Sequence, residues 1–214
     1  MGTLSHMDSK QIFYKQLKED VIPILRESGF KGSGQNFRRI NGEVIHAVNI
    51  QNNKYGGSCC LNLGFHFTFL PACWNSKNIL EPKKIKETDC EFRTRLSPKG
   101  KHDYWWKFDG GGIFGNTSKS VAHLKKTYLE VGNDFFERFN SLESITSLLE
   151  IRLLKQSDYI DIAGGIVPVR GALTMSRIYK HLGNSELQKR YAATGLQIIG
   201  NASALKNELE NLAK

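Results

Sequence analysis

The sequence predicts an α+β protein: an N-terminal helix, an antiparallel sheet of about five strands, and a C-terminal helical bundle or subdomain. Three observations carry this. Near the N-terminus Ile12, Phe13, Leu17, Val21, Ile24 and Leu25 recur at helical spacing. Over residues 58–70, Cys59, Leu61, Leu63, Phe65, Phe67 and Phe69 alternate with Cys60, Asn62, Gly64, His66 and Thr68, a period of two. Beyond a glycine-rich stretch at 110–116, Val121, Leu124, Tyr128 and Val131 return to helical spacing.

Each element follows from local chemistry. Ser9 can cap the first helix, Pro23 should kink it or start a last turn, and Gly29 followed by Phe30 reads as its end. Gly32-Ser33-Gly34 reads as a turn and 35–40 as a strand. Asn41-Gly42 is a two-residue hairpin turn leading to a second strand at 44–51. The alternating segment 58–70 is the third strand, and its period implies one face on a core and one more polar face. A polar, Lys-rich connection at 71–88 leads to strands at 90–96 and 103–109, with a turn at Ser97-Pro98-Lys99-Gly100. Short connections make the sheet antiparallel. Thr117 or Ser118 caps the next helix, Gly132-Asn133 is a candidate break, and a helix is expected over 142–154. Further helices begin near Ala172, Ser185 and Ala202. The expected division is an α+β domain at 7–139 with a helical C-terminal extension, 140–214, packed on it.

The bulk properties narrow the function classes. The chain has 214 residues, 40% hydrophobic and 24% charged, which is ordinary globular composition. No apolar run approaches the roughly 18 residues a membrane span needs, and there is no basic-then-apolar leader. A cytoplasmic location with no membrane association is expected. Ser5-His6-Met7 reads as a cloning remnant, with Met7 the natural start. Cys59, Cys60, Cys73 and Cys90 form no Cys-x-x-Cys pair and no His pair stands at zinc spacing, so no metal is expected and free thiols are. The formal charge is +9, with 17 basic and 11 acidic residues up to Asp109 and 13 and 10 after it. The excess is spread out, with a mild concentration over 77–107. A nucleic-acid binder usually clusters its charge on one face.

The glycine-rich segment 110–117 reads G-G-G-I-F-G-N-T, which is G-x-x-x-x-G-K-[ST] with Asn116 in place of the lysine. Without that charge on the β/γ-phosphates, and after an aromatic hairpin strand, it reads as a turn with an N-cap, and no cofactor is expected. His46 falls on the apolar side of its strand and reads as a core histidine. His66 is the best general-base candidate, but no nucleophile or carboxylate stands at a readable spacing from it. Glu91 and Asp103 could meet across a hairpin. No catalytic constellation is legible.

The polar strand face is the candidate site. Asn49, Gln51, Asn62, His66, Thr68, Arg93 and Arg95 can share one side of the sheet, with one of Trp105 or Trp106. Amides, arginines and an aromatic together make a recognition surface. The ordinary alternative is a solvated face, or one covered from above with its polar groups satisfied internally.

The order of short motifs resembles a known family. An N-terminal helix is followed by Gly29-Phe30-Lys31, Asn36-Phe37-Arg38-Arg39, Val48-Asn49-Ile50-Gln51 and Leu61-Asn62-Leu63-Gly64. A strand with Arg93 and Arg95 comes next, then Asp103-Tyr104-Trp105-Trp106. Over residues 12–139 this is similar to the bacterial domain-of-unknown-function family four-three-zero-four. The resemblance implies an α+β fold and supplies no catalytic residues. Small members of that family look like accessory proteins of toxins, mobile elements or phage conflict. The expectation is therefore a non-enzymatic, protein-binding module, of immunity or defence type. Nucleic-acid binding through the basic surface is the first alternative, and a hydrolase or transferase acting through His66 the second. The sequence leaves the oligomeric state open.

Overall fold

The computed structural model of the protein describes residues 8–74, 78–108 and 115–214. Helix α1 (Ser9–Asp20) is capped by Asp8, one residue before the expected Ser9. Asp8 Oδ1 accepts from the Gln11 N–H at 2.7 Å and Gln11 Oε1 accepts from the Asp8 N–H at 3.0 Å. This reciprocal pair satisfies two donors that a bare helix end leaves open. The break comes at Val21, and Pro23 lies in the first turn of α2 (Ile22–Glu27), where its missing N–H is harmless. The expected glycine ending is present: Gly29 has φ 83°, and the Phe30 N–H returns to the Leu25 carbonyl at 2.9 Å.

Among the described residues, six antiparallel strands follow: β1 (Lys31–Ser33), β2 (Asn36–Asn41), β3 (Val44–Asn52), β4 (Ser58–Phe67), β5 (Phe92–Arg95) and β6 (Trp106–Lys107). Residues 31–33, read from sequence as part of a turn, are a short edge strand, and the turn falls at Gly34-Gln35. The sheet order is β1-β2-β3-β4-β5, with β6 beside β5 on the same edge of β4. The expected hairpin between the last two strands does not form. The Lys101 N–H closes a turn onto the Pro98 carbonyl at 2.9 Å, Asp103 takes φ 52°, and Ser97 Oγ accepts from the Tyr104 N–H at 3.2 Å. These contacts carry the chain past β5 and leave two residues to pair with Ser58 and Cys59.

Helix α3 (Gly115–Thr127) runs through a π-helical turn (Tyr128–Gly132) into α4 (Asn133–Arg138). The candidate break at Gly132-Asn133 is thus a widened turn, where a Cβ on Gly132 would stand 2.8 Å from the Tyr128 ring. The helix expected over 142–154 is α5 (Leu142–Leu148) followed by a 3₁₀ turn (Ile151–Lys155), because Leu149 leaves helical geometry at φ −107°, ψ 50°. The chain ends in α6 (Tyr159–Ile162), α7 (Pro168–His181), α8 (Ser185–Gln197) and α9 (Lys206–Leu212).

The helices cover one face of the sheet. Phe13 of α1, Phe65 of β4, Phe92 of β5, Phe139, Met175 of α7 and Tyr191 of α8 belong to one continuous buried cluster. Residues 140–214 therefore share a core with the rest of the chain. The second face is covered over part of its area by the described residues of the connection between β4 and β5, 71–74 and 78–91, a strap whose Ile85 and Cys90 pack on Ile45 and Ala47. A Cβ on Gly64 would meet Cys90 Sγ at 2.8 Å and the Glu87 Cα at 3.2 Å, so the strap lies directly on the β4 backbone.

Candidate functional site

Strand register settles which polar side chains meet. Asn36 of β2 faces Asn49 of β3, Asn49 faces Asn62 of β4, and Asn62 faces Arg95 of β5. These four form one row across four strands, on the face away from the helices. Asn49 Nδ2 donates to Asn36 Oδ1 at 3.0 Å. Asn62 Nδ2 donates to Gln51 Oε1 at 2.8 Å and to Asn49 Oδ1 at 3.4 Å. Arg95 Nε donates to Asn62 Oδ1 at 3.3 Å, and an outer guanidinium nitrogen donates to Gln51 Oε1 at 3.4 Å. The same guanidinium pairs with Asp103 and lies 4.7 Å over the Trp105 ring. Gln51 and Asp103 are exposed, and Asn49, Asn62, Arg95 and Trp105 are half-buried. A pocket of about 320 Å³ opens beside the row, lined by Gln51, Asn62, Glu87, Arg93, Arg95 and Asp103 among others.

The electrostatics of this surface are mixed. Arg93 stands 3.7 Å from Glu87, whose carboxyl is raised by burial against the pull of the arginines. Burial pushes the Cys60 thiol, next to the row, up to about 11. It is therefore neutral at pH 7 and no nucleophile.

Of the sequence candidates, the structure brings Asn49, Gln51, Asn62, Arg93, Arg95 and Trp105 to one open region. It withdraws two. Trp106 is buried in the helix-side core. His66 is fully buried under the strap: its Nδ1 accepts from the Glu91 N–H at 3.2 Å, and its Nε2 faces the Leu70 carbonyl at 3.2 Å. Burial lowers its pKa to about 4, and it has no approach from solvent. His46 is the core histidine expected, with Nε2 on the Phe139 carbonyl at 2.6 Å and Nδ1 receiving Arg39. Glu91 and Asp103 do not meet. Glu91 binds Arg170 and Arg177, and Asp103 binds Arg95. Sequence reasoning passes over Asn36, although its alternation with Phe37 already places it on the polar face. The phosphate-loop-like segment lies mostly outside the described residues. Among those described, no group of three or more His, Cys, Asp or Glu could hold a metal, and no helix is long and apolar enough to cross a membrane.

Fold and site together define an α+β domain whose sheet has one helix-covered face and one half-open polar face. A family model described as a domain of unknown function, DUF4304, matches residues 21–138, and the chain belongs to that family of uncharacterised domains. No curated protein and no solved structure matches it.

Proposed function

We propose that this protein is a non-enzymatic binding module that docks another protein on the open half of its polar sheet face. The observation that supports this most is the cross-strand row Asn36–Asn49–Asn62–Arg95. Its amides fix one another through the hydrogen bonds above, so little side-chain freedom remains to be lost on binding. Trp105 and Arg95, stacked at its end, are the residue types that dominate protein interfaces. The cations here have carboxylate neighbours, Arg93 with Glu87 and Arg95 with Asp103. That pattern suits a partner offering both charges and amides better than a phosphate backbone. An immunity- or defence-type role, with a toxin or other conflict protein as partner, is the finer reading.

The test is co-purification from the native host with wild-type protein and with an Asn62→Ala/Arg95→Ala variant. A specific protein should be retained by the wild type, lost by the variant, and bind again when both are purified. Equal retention by a folded variant would defeat the assignment of this face. Nucleic-acid binding is the second reading, favoured by the +9 charge. It requires retention of DNA or RNA that falls steeply with salt.

A further inference from the structure

The strap divides the polar face. On its far side from Arg93, Lys31 of β1 stands directly opposite Arg38 of β2, so both side chains leave the same face. Like charges in that arrangement repel. Lys83, on the strap's 3₁₀ turn (Pro82–Lys84), reaches the same place. The three cations line a trough of about 510 Å³, completed by Gly29, Gly32 and Ile40, and no acidic side chain lines it. Glu81, whose charge Lys83 feels, is engaged with Lys84 at 3.0 Å. Arg38 forms no ion pair among the described residues, and its Nε is buried with no hydrogen-bond acceptor. Elsewhere on this face the arginines are matched by carboxylates; here three positive groups converge without one.

We propose that this trough binds the phosphate group of a small phosphorylated molecule. A phosphate carries a charge of about −2 and three strong acceptor oxygens. It would pair with the Arg38 guanidinium and the two ammonium groups and relieve the repulsion between Lys31 and Arg38. Ile40, 41% exposed, offers an apolar wall for the rest of the molecule. The volume lies in the range of small-ligand pockets, roughly 300–1,000 Å³. Beyond the strap Arg93 and Arg95 are paired with Glu87 and Asp103, which favours a compact ligand over a polymer needing a continuous basic track. This site lies across the strap from the protein-binding half of the face, and its test does not depend on that reading.

Titration of the isotope-labelled full chain with pyrophosphate, at constant ionic strength, reads the site through backbone amide shifts. Saturable shifts confined to Gly29, Gly32, Arg38 and Lys83 are expected. Arg38→Ala and Lys83→Ala should each weaken binding about tenfold or more. Arg38→Lys, which keeps the charge and loses the planar fork, should fall between. Lys10→Ala, on α1 and outside both sites, should bind as the wild type does. Absence of saturation, or equal shifts at remote lysines such as Lys10 and Lys125, would overturn the proposal. So would an oligothymidine strand that displaces pyrophosphate from these amides, since the trough would then serve a polynucleotide.

Discussion

His46 and His66 occupy adjacent rows of the sheet on opposite faces, His46 opposite Phe65 and His66 opposite Ile45. Both rings are buried and burial holds both pKa values near about 4. An unfolded chain titrates its histidines near about 6.5. As pH falls, the unfolded state binds these protons first, so stability is complete above about pH 6.5 and declines towards about pH 4. The two rings together should remove on the order of 4–6 kcal/mol across that window. Glu87 works in the opposite sense near the ordinary carboxylate range, because burial raises its pKa and the folded state takes its proton more readily. Urea midpoints at about pH 7 and about pH 4.5 check the balance, with a marked fall expected at the lower value. A flat profile would mean that the rings accept protons inside the fold. His46 is readable from the apolar neighbours of its strand. His66 is not: its alternation places it correctly on the second face, while nothing local announces that the strap closes over it.

At the scale of elements, β4 is the most legible part of the chain, since strict alternation over ten residues fits a two-faced strand and little else. The strap is the least. Its lysines make residues 71–88 read as a solvated connection, yet Leu80 and Ile85 anchor it to the sheet. Two apolar residues without a period do not declare a docking segment. β6 escapes for a related reason: a two-residue strand has no period, and its pairing is decided by the turns at Pro98 and Asp103. For the candidate site, the strands' period assigns the face, but only register can align Asn36, Asn49, Asn62 and Arg95 in one row. The closeness of strap and strand gives an element-scale prediction. Gly64→Val should lift the strap, because Cys90 Sγ already stands 2.8 Å from where its Cβ would lie. A stability loss of about 1–3 kcal/mol is expected, as for other overpacked sites. Faster amide exchange should appear at Cys73, Asp89 and Cys90, whose N–H or C=O groups hold the strap's own turns. Unchanged exchange there would show that the sheet yields instead.

Across the whole molecule, one charged network ties the helical end to the sheet. The Glu91 side chain is fully buried and accepts from Arg170 and Arg177, while Arg177 also forms a two-pronged pair with Glu208 of α9 at 2.8 Å. Removing one member of such a set leaves a buried charge uncompensated. Glu91→Gln should therefore cost about 3–5 kcal/mol, far more than the roughly 0–1 kcal/mol of a surface pair. Because the two regions share a core, helical circular dichroism and tryptophan fluorescence should still report one coincident transition, shifted to lower denaturant. Two separated transitions would mean that residues 140–214 form an independent unit.

The sheet is held by its own ladder and by the helices behind it, so the exposed part of the strap, away from Ile85, Cys90 and Glu91, can change in length without rewriting the frame beneath. Connections of this kind absorb insertions and deletions far more readily than strands. A shorter strap would uncover more of the polar face and a longer one would roof it over. The extent of open sheet face therefore depends on the length of the strap, while the row of amides below depends only on strand register.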